Sequence, residues 1–128
     1  MSVRIVRLGS PRAQNEGLRI GTVRRPPRGV AKTDFATRNF YDVWLPALSP
    51  TPALVKEALE ARTPQEWQKF AGRFKAEMHK TEAAHLLGLL SALSRSTNFS
   101  VGCYCEDESR CHRGILRDLL AQHGAILA

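Results

Sequence analysis

Apolar and basic residues alternate over residues 3–9 (VRIVRLG), and the alternation ends at a Gly-Ser-Pro turn signal. A period of two closed by such a turn predicts a β-strand. The alternation returns over residues 18–24 (LRIGTVR) and is halted by Pro26 and Pro27, which predicts a second strand. Residues 40–45 (FYDVWL) favour extended structure, but Pro46 limits them to a short piece.

From residue 51 onward the period becomes helical. Thr51 suits an N-cap and Pro52 a first helical position, with Leu54, Val55, Ala58 and Leu59 on one stripe. Thr63 and Glu66 have the spacing of a capping box, Pro64 fits the first turn, and Trp67, Phe70, Ala71, Phe74 and Met78 make an apolar face. Residues 82–94 (EAAHLLGLLSALS) are almost all apolar and predict a third helix sandwiched in the core, with His85 a satisfied core or boundary histidine. Residues 99–105 (FSVGCYC) read as a buried strand. Residues 110–123 carry Ile115, Leu116, Leu119 and Leu120 on one helical face and stop at Gly124, a natural C-cap. Strands separated by helices predict an α/β fold: one compact domain over residues 1–128, with a small, mostly parallel sheet flanked by helices in a Rossmann-like three-layer architecture.

The length, 128 residues, suits a single core. No apolar run nears the roughly 18 residues that span a bilayer, so no membrane partner is expected. The N-terminus lacks the apolar core of a secretory signal, and the expected compartment is the cytoplasm. Three cysteines cannot pair among themselves and point to reduced thiols. The net charge of +7 is unevenly placed: residues 1–38 hold nine Arg or Lys against Glu16 and Asp34, and the remainder holds ten of each sign. Such a segment suits an anionic small molecule or a nucleic acid, or serves as a solvated surface.

All three cysteines fall in CYCEDESRCHRG, residues 103–114. A loop between a strand's carboxyl end and a helix start is where open α/β sheets bind ligands. Arg110, Arg113 and the unpaired N–H groups of the helix start would favour an anion or a thiolate there. Period two puts Cys103 and Cys105 on one strand face. Three readings stay open at this point. In the first, Cys105 or Cys111 is a reactive thiolate with His112 exchanging the proton. Glu106, Asp107 and Glu108 beside Cys105 oppose its ionisation, which favours Cys111. In the second, Cys103, Cys105, Cys111 and His112 bind zinc or iron. In the third, the cysteines simply pack in a central strand. No organic cofactor is implied.

RLGSPR, EGLRIGTVRRPPRGV, NFYDVWLPALSPTPALV and CYCEDESRCHRGIL, in this order over nearly the whole chain, resemble the YeaO-like family of bacterial and archaeal proteins, a domain of unknown function. The resemblance implies a compact α/β domain and an enzymatic role for the cysteines, with no reaction attached. The family pattern matches Gly9 and Ser10 after the first strand and Arg24 and Arg25 after the second. It matches Tyr41, Asp42, Trp44, Leu45 and Pro46 in the aromatic box, and Cys105, Glu106, Cys111, His112 and Arg113 after the last strand.

Each polar cluster falls at the carboxyl end of a predicted strand, so in a parallel sheet they could converge on one pocket. The expected substrate-binding set is Gly9, Ser10, Arg24, Arg25, Arg28, Tyr41, Asp42 and Trp44. The expected catalytic set is Cys105, Glu106, Cys111, His112 and Arg113. Together they predict a small enzyme acting on a phosphate- or nucleotide-containing substrate, by a thiol-dependent step or by glycosidic cleavage at Glu106. The alternatives are a non-catalytic nucleic-acid or metabolite binding module and a metal centre. The sequence specifies no oligomeric state.

Overall fold

The computed structural model describes residues 1–128. The order is β1 (Val3–Arg7), β2 (Leu18–Gly21), β3 (Val43–Trp44), α1 (Pro52–Glu60), α2 (Pro64–Met78), α3 (Thr81–Leu93), β4 (Phe99–Cys103) and α4 (His112–Gln122), with short 3-10 turns at Lys32–Asp34, Pro46–Leu48 and Glu108–Arg110. The four strands form one sheet in the order β1-β4-β2-β3, every pair parallel. β4 pairs on both sides, Phe99 standing opposite both Val3 and Leu18. Its uncharged sequence FSVGC suits that position, and all five residues are buried. Beyond β1 the C-terminus runs parallel to it, Val3 N–H donating to the Ile126 carbonyl at 2.8 Å.

Period two divides the sheet residues between two faces. Val3, Ile20, Phe99 and Val101 join Leu54, Phe70, Phe74, Leu87 and Leu116 in one core to which all four helices contribute. Loop segments cover the other face. Tyr41 lies so close over Gly21 that a Cβ there would sit 2.4 Å from its ring. Leu8, Val23, Tyr41, Cys103 and Cys111 make a smaller second cluster. The architecture is thus Rossmann-like and three-layered: helices, parallel sheet, and a cover of loops.

The cover is held by a buried ion pair that the alternating pattern conceals. Arg19 is wholly buried and donates from Nε to the Glu16 carboxylate at 2.7 Å, while its Nη1 donates to the Ser10 and Asn39 carbonyls at 2.9 and 2.7 Å. Ser100 of β4 donates to the same carboxylate at 2.7 Å. Burial works to raise the Glu16 pKa, but the bonds from Arg19, Ser100 and the Ala13 N–H outweigh it and hold it at about 2. The turn delivering Glu16 needs Gly17 at φ +80°, where a side chain would meet the Asn98 carbonyl.

At the helix starts, Thr63 Oγ accepts from Glu66 N–H at 3.1 Å, and the Glu66 carboxylate bonds the N–H of Arg62, one residue earlier than a capping box would have it. Thr51 makes no side-chain cap. Its hydroxyl donates instead to Glu77 of α2 at 2.8 Å, tying the two helices together. α3 is not sandwiched. Ala83, Leu87 and Leu90 face the core, while Leu89, Leu93 and His85 are exposed because no further layer lies outside them. Each main strand is two or three residues shorter than its apolar pattern. Gly124, φ +88°, follows the end of α4 and turns the chain out of the helix. No helix is long and apolar enough to cross a membrane.

Candidate functional site

Where β2 and β4 end, the structure opens into a cavity of about 390 Å³. Val23, Arg24 and Arg25 follow β2 along one side, and Pro52, Val55, Ala58 and Leu59 of α1 form another. Trp67 and Phe70 of α2 close a third side, and the floor is Cys103, Tyr104, Cys105, Cys111 and His112. Arg110 lies over the Trp67 ring at 5.2 Å and donates to the Ala61 carbonyl at 3.0 Å. Ten of the sixteen lining residues are hydrophobic, so the cavity suits a ligand with an apolar body rather than a bare anion.

The three thiols differ in access. Cys105 is exposed, whereas Cys103 and Cys111 are buried. The sulfurs of Cys103 and Cys105 lie 3.9 Å apart, and the Cys111 sulfur lies 3.9 Å from His112 Nδ1. The Cys103 and Cys111 thiols donate toward a Cys105 thiolate, and with the charge of Arg113 they hold the Cys105 pKa far below its ordinary value. The same cluster pushes Cys103 up to about 11, because a second thiolate would stand against the first, and Cys111 is raised for the same reason. Cys111, favoured from sequence as the thiolate, is therefore the less suited of the two.

The reason lies in the acids. Glu106 faces Arg7 at 3.5 Å, Asp107 accepts from Ser109 N–H at 3.0 Å, and Glu108 pairs with Arg117 at 2.9 Å. All three have partners other than Cys105. Gly114 allows the α4 start to press against this loop, since a Cβ there would sit 2.6 Å from the Glu108 carbonyl.

Buried Arg113 gathers the loop from behind, donating to the carbonyls of Cys103, Cys105 and Glu106. It lies under the floor and does not line the cavity, and its Nε has no partner. His112, the first residue of α4, is buried and neutral: desolvation lowers its pKa, and its Nε2–H donates to the Thr22 carbonyl at 2.5 Å. That bond leaves the Nδ1 lone pair directed at the cluster.

Of the expected set, the structure brings Arg24, Arg25, Cys105, Cys111 and His112 to the cavity. Arg24 is partly spent on the Ser49 and Pro50 carbonyls, at 3.1 and 2.9 Å, while exposed Arg25 has no side-chain partner. Gly9, Ser10, Arg28, Tyr41, Asp42, Trp44 and Glu106 are not among the lining residues. Gly9 packs under Phe40, and the Ser10 hydroxyl turns back to the Arg7 carbonyl. Asp42 sits at the opposite, amino end of β3, where Arg12 at 2.9 Å and the Arg19 N–H at 2.8 Å hold it. Tyr41 is buried with its hydroxyl unpartnered, and Trp44 donates to the Val23 carbonyl at 2.7 Å. A position following a strand in sequence is thus not enough; only the ends of β2 and β4 meet the helical wall.

Sequence reasoning missed the apolar wall. Phe70 is core as its stripe predicts, with Trp67 packed against that core, and both also face the cavity; Leu59, one more stripe residue, is 81% exposed at the rim.

The floor also has the makings of a metal site. The sulfurs of Cys103 and Cys111 and a ring nitrogen of His112 lie within 4.8 Å of one another. Soft thiolates with an imidazole whose far nitrogen bonds a carbonyl fit zinc or iron, and Cys105 stands beside them as a fourth donor.

A family model for DUF488-N3a, described as "Active DUF488-N3 subclade", matches residues 3–124. Comparison with curated proteins and with solved structures gives no match.

Proposed function

The chain belongs to the DUF488-N3a family, and on that premise we propose that it is a small enzyme in which Cys105 attacks a substrate carrying an apolar body and an anionic group. The observation that carries this reading is the composition of one cavity: an exposed thiol on the floor, two buried thiols behind it, an apolar wall and an unpartnered arginine at the rim. The word "active" in the family description agrees with an enzymatic role.

In this reading Arg25 takes the phosphate or carboxylate, aided by the free edge of Arg24. Val55, Leu59, Trp67 and Phe70 hold the apolar body against the floor and exclude water. The Cys105 thiolate attacks an electrophilic centre of the substrate, and the neighbouring thiols donate hydrogen bonds to it before the bond forms. Glycosidic cleavage at Glu106 loses support, because that carboxylate stands outside the cavity on Arg7. Alkylation of Cys105 by iodoacetamide, measured against a panel of aryl and alkyl phosphates and carboxylates, tests the reading. At least one member should slow Cys105 by about tenfold or more; a panel that protects nothing would sink it.

The second reading, a zinc or iron centre on Cys103, Cys111 and His112, is favoured by their mutual distance of at most 4.8 Å. A metal bound there would supply Lewis-acid chemistry at the cavity floor. Elemental analysis of reduced protein purified without chelator decides it: near one equivalent per chain supports the centre, and less than about a tenth removes it.

A further inference from the structure

The distance between Cys103 and Cys105 carries more than a shared thiolate. In group transfer a second thiol serves only as a hydrogen-bond donor to the nucleophile, but a thiol within reach of its sulfur also makes the pair oxidisable. Here the second thiol is built in: the i, i+2 spacing directs both side chains to one side, and the sulfurs stand 3.9 Å apart without a bond between them. Their positions are unequal. Both line the cavity floor, but Cys105 is exposed and Cys103 buried, so a small oxidant reaches the first sulfur before the second. One nitrogen of Arg113 bonds the carbonyls of both residues, holding the two backbones together.

We propose that Cys105 and Cys103 form a redox couple that reduces organic hydroperoxides. The proposal rests on the reading of Cys105 as the cavity nucleophile, not on Arg25 as an anion site, and gives that nucleophile a class of electrophile. The Cys105 thiolate attacks the outer peroxide oxygen; the S–O bond forms as the O–O bond breaks, and the alkoxide leaves and takes a proton to become the alcohol. The product is a sulfenic acid on Cys105. Cys103 then attacks the Cys105 sulfur, the S–S bond forms as the S–O bond breaks, and hydroxide leaves with the Cys103 proton as water. In sum, one hydroperoxide and two thiols give an alcohol, water and a disulfide. Two equivalents of a small thiol restore the dithiol and are oxidised to their own disulfide. The sulfurs need to close from 3.9 Å to the roughly 2 Å of an S–S bond. Val55, Leu59, Trp67 and Phe70 favour an apolar hydroperoxide over hydrogen peroxide.

The test treats reduced, metal-free full chain with one equivalent of cumene hydroperoxide or hydrogen peroxide, then maps the products by mass spectrometry. The expected result is loss of two hydrogens, located to a Cys103–Cys105 disulfide, with the cumene compound reacting about tenfold faster. In Cys103→Ser, and in Cys103→Ala should the serine variant fold poorly, Cys105 should accumulate as a sulfenic acid trapped by dimedone. Oxidation of Cys105 to sulfinic acid while Cys103 stays a free thiol overturns the proposal, as does a disulfide to Cys111 in the wild type. Iodoacetamide separates the two claims: if it still labels Cys105 selectively after such a failure, the nucleophile stands and the couple falls; if Cys105 is inert to both reagents, both fall.

Discussion

The His112 ring donates Nε2–H to the Thr22 carbonyl at 2.5 Å and turns Nδ1 to the Cys111 sulfur at 3.9 Å. A carbonyl only accepts, so the tautomer is fixed by the residue that follows β2 and leads to the arginine side of the cavity. The same ring meets Phe74 edge-on at 5.5 Å, which couples the floor to the helical core. Replacing it by phenylalanine keeps the apolar contact but leaves the Thr22 carbonyl unpaired. His112→Phe should lose about 1–3 kcal/mol in urea unfolding. A variant as stable as wild type would show that the bond adds nothing.

The Glu16 carboxylate is held at about 2, below its ordinary 4.5. A carboxylate lowered in the folded state contributes stability above 4.5, and that contribution drains away as the pH falls toward 2. Urea midpoints measured across this window should fall more steeply in wild type than in Glu16→Gln. At neutral pH, Glu16→Gln should itself cost about 3–5 kcal/mol, because it strands the buried Arg19 charge. Parallel pH profiles for the two proteins would refute this account of the pair.

Gly21 lies under Tyr41, and a Cβ there would sit 2.4 Å from the ring. Tyr41 is itself buried and stacked edge-on with Phe35 at 5.3 Å, so it has little room to retreat. Gly21→Ala should therefore cost about 1–3 kcal/mol by overpacking. Thermal denaturation reads the loss, and an unchanged midpoint would mean the loop cover shifts freely.

Arg113 binds the carbonyls of Cys103, Cys105 and Glu106 from beneath. Arg113→Met preserves bulk and removes the donors. Hydrogen exchange over residues 104–108 should accelerate by about tenfold or more while the exchange of β2 is unchanged. Equal exchange in that loop would show that the guanidinium does not hold it.

Much of this was legible where one residue type has one physical use. Thr63 with Glu66, Pro52 and Pro64 at first positions and Gly124 at a helix end all mark boundaries that the chain adopts. The cysteine loop was legible because strand, loop and helix succeed each other within one short segment. Arg19 was not. Basic residues alternating with apolar ones look like a solvent face, and only the Gly17 turn, by bringing Glu16 beneath the sheet, makes burial tolerable. Asp42 likewise reads as a strand-end group, but it precedes the two residues that pair, so it faces the opposite end of the sheet. Adjacency to Cys105 misleads for a related reason: the three acids beside it in sequence each have a partner elsewhere.

The most direct test of the site is the rate at which iodoacetamide modifies each cysteine of the native, reduced, metal-free chain, resolved by peptide mass spectrometry. Cys105, exposed and with its thiol pKa lowered by the neighbouring thiols, should react at least about tenfold faster than buried Cys103 and Cys111, whose labelling should await unfolding. Three equal, slow rates would contradict a reactive thiol at the cavity floor and leave the cysteines as packing.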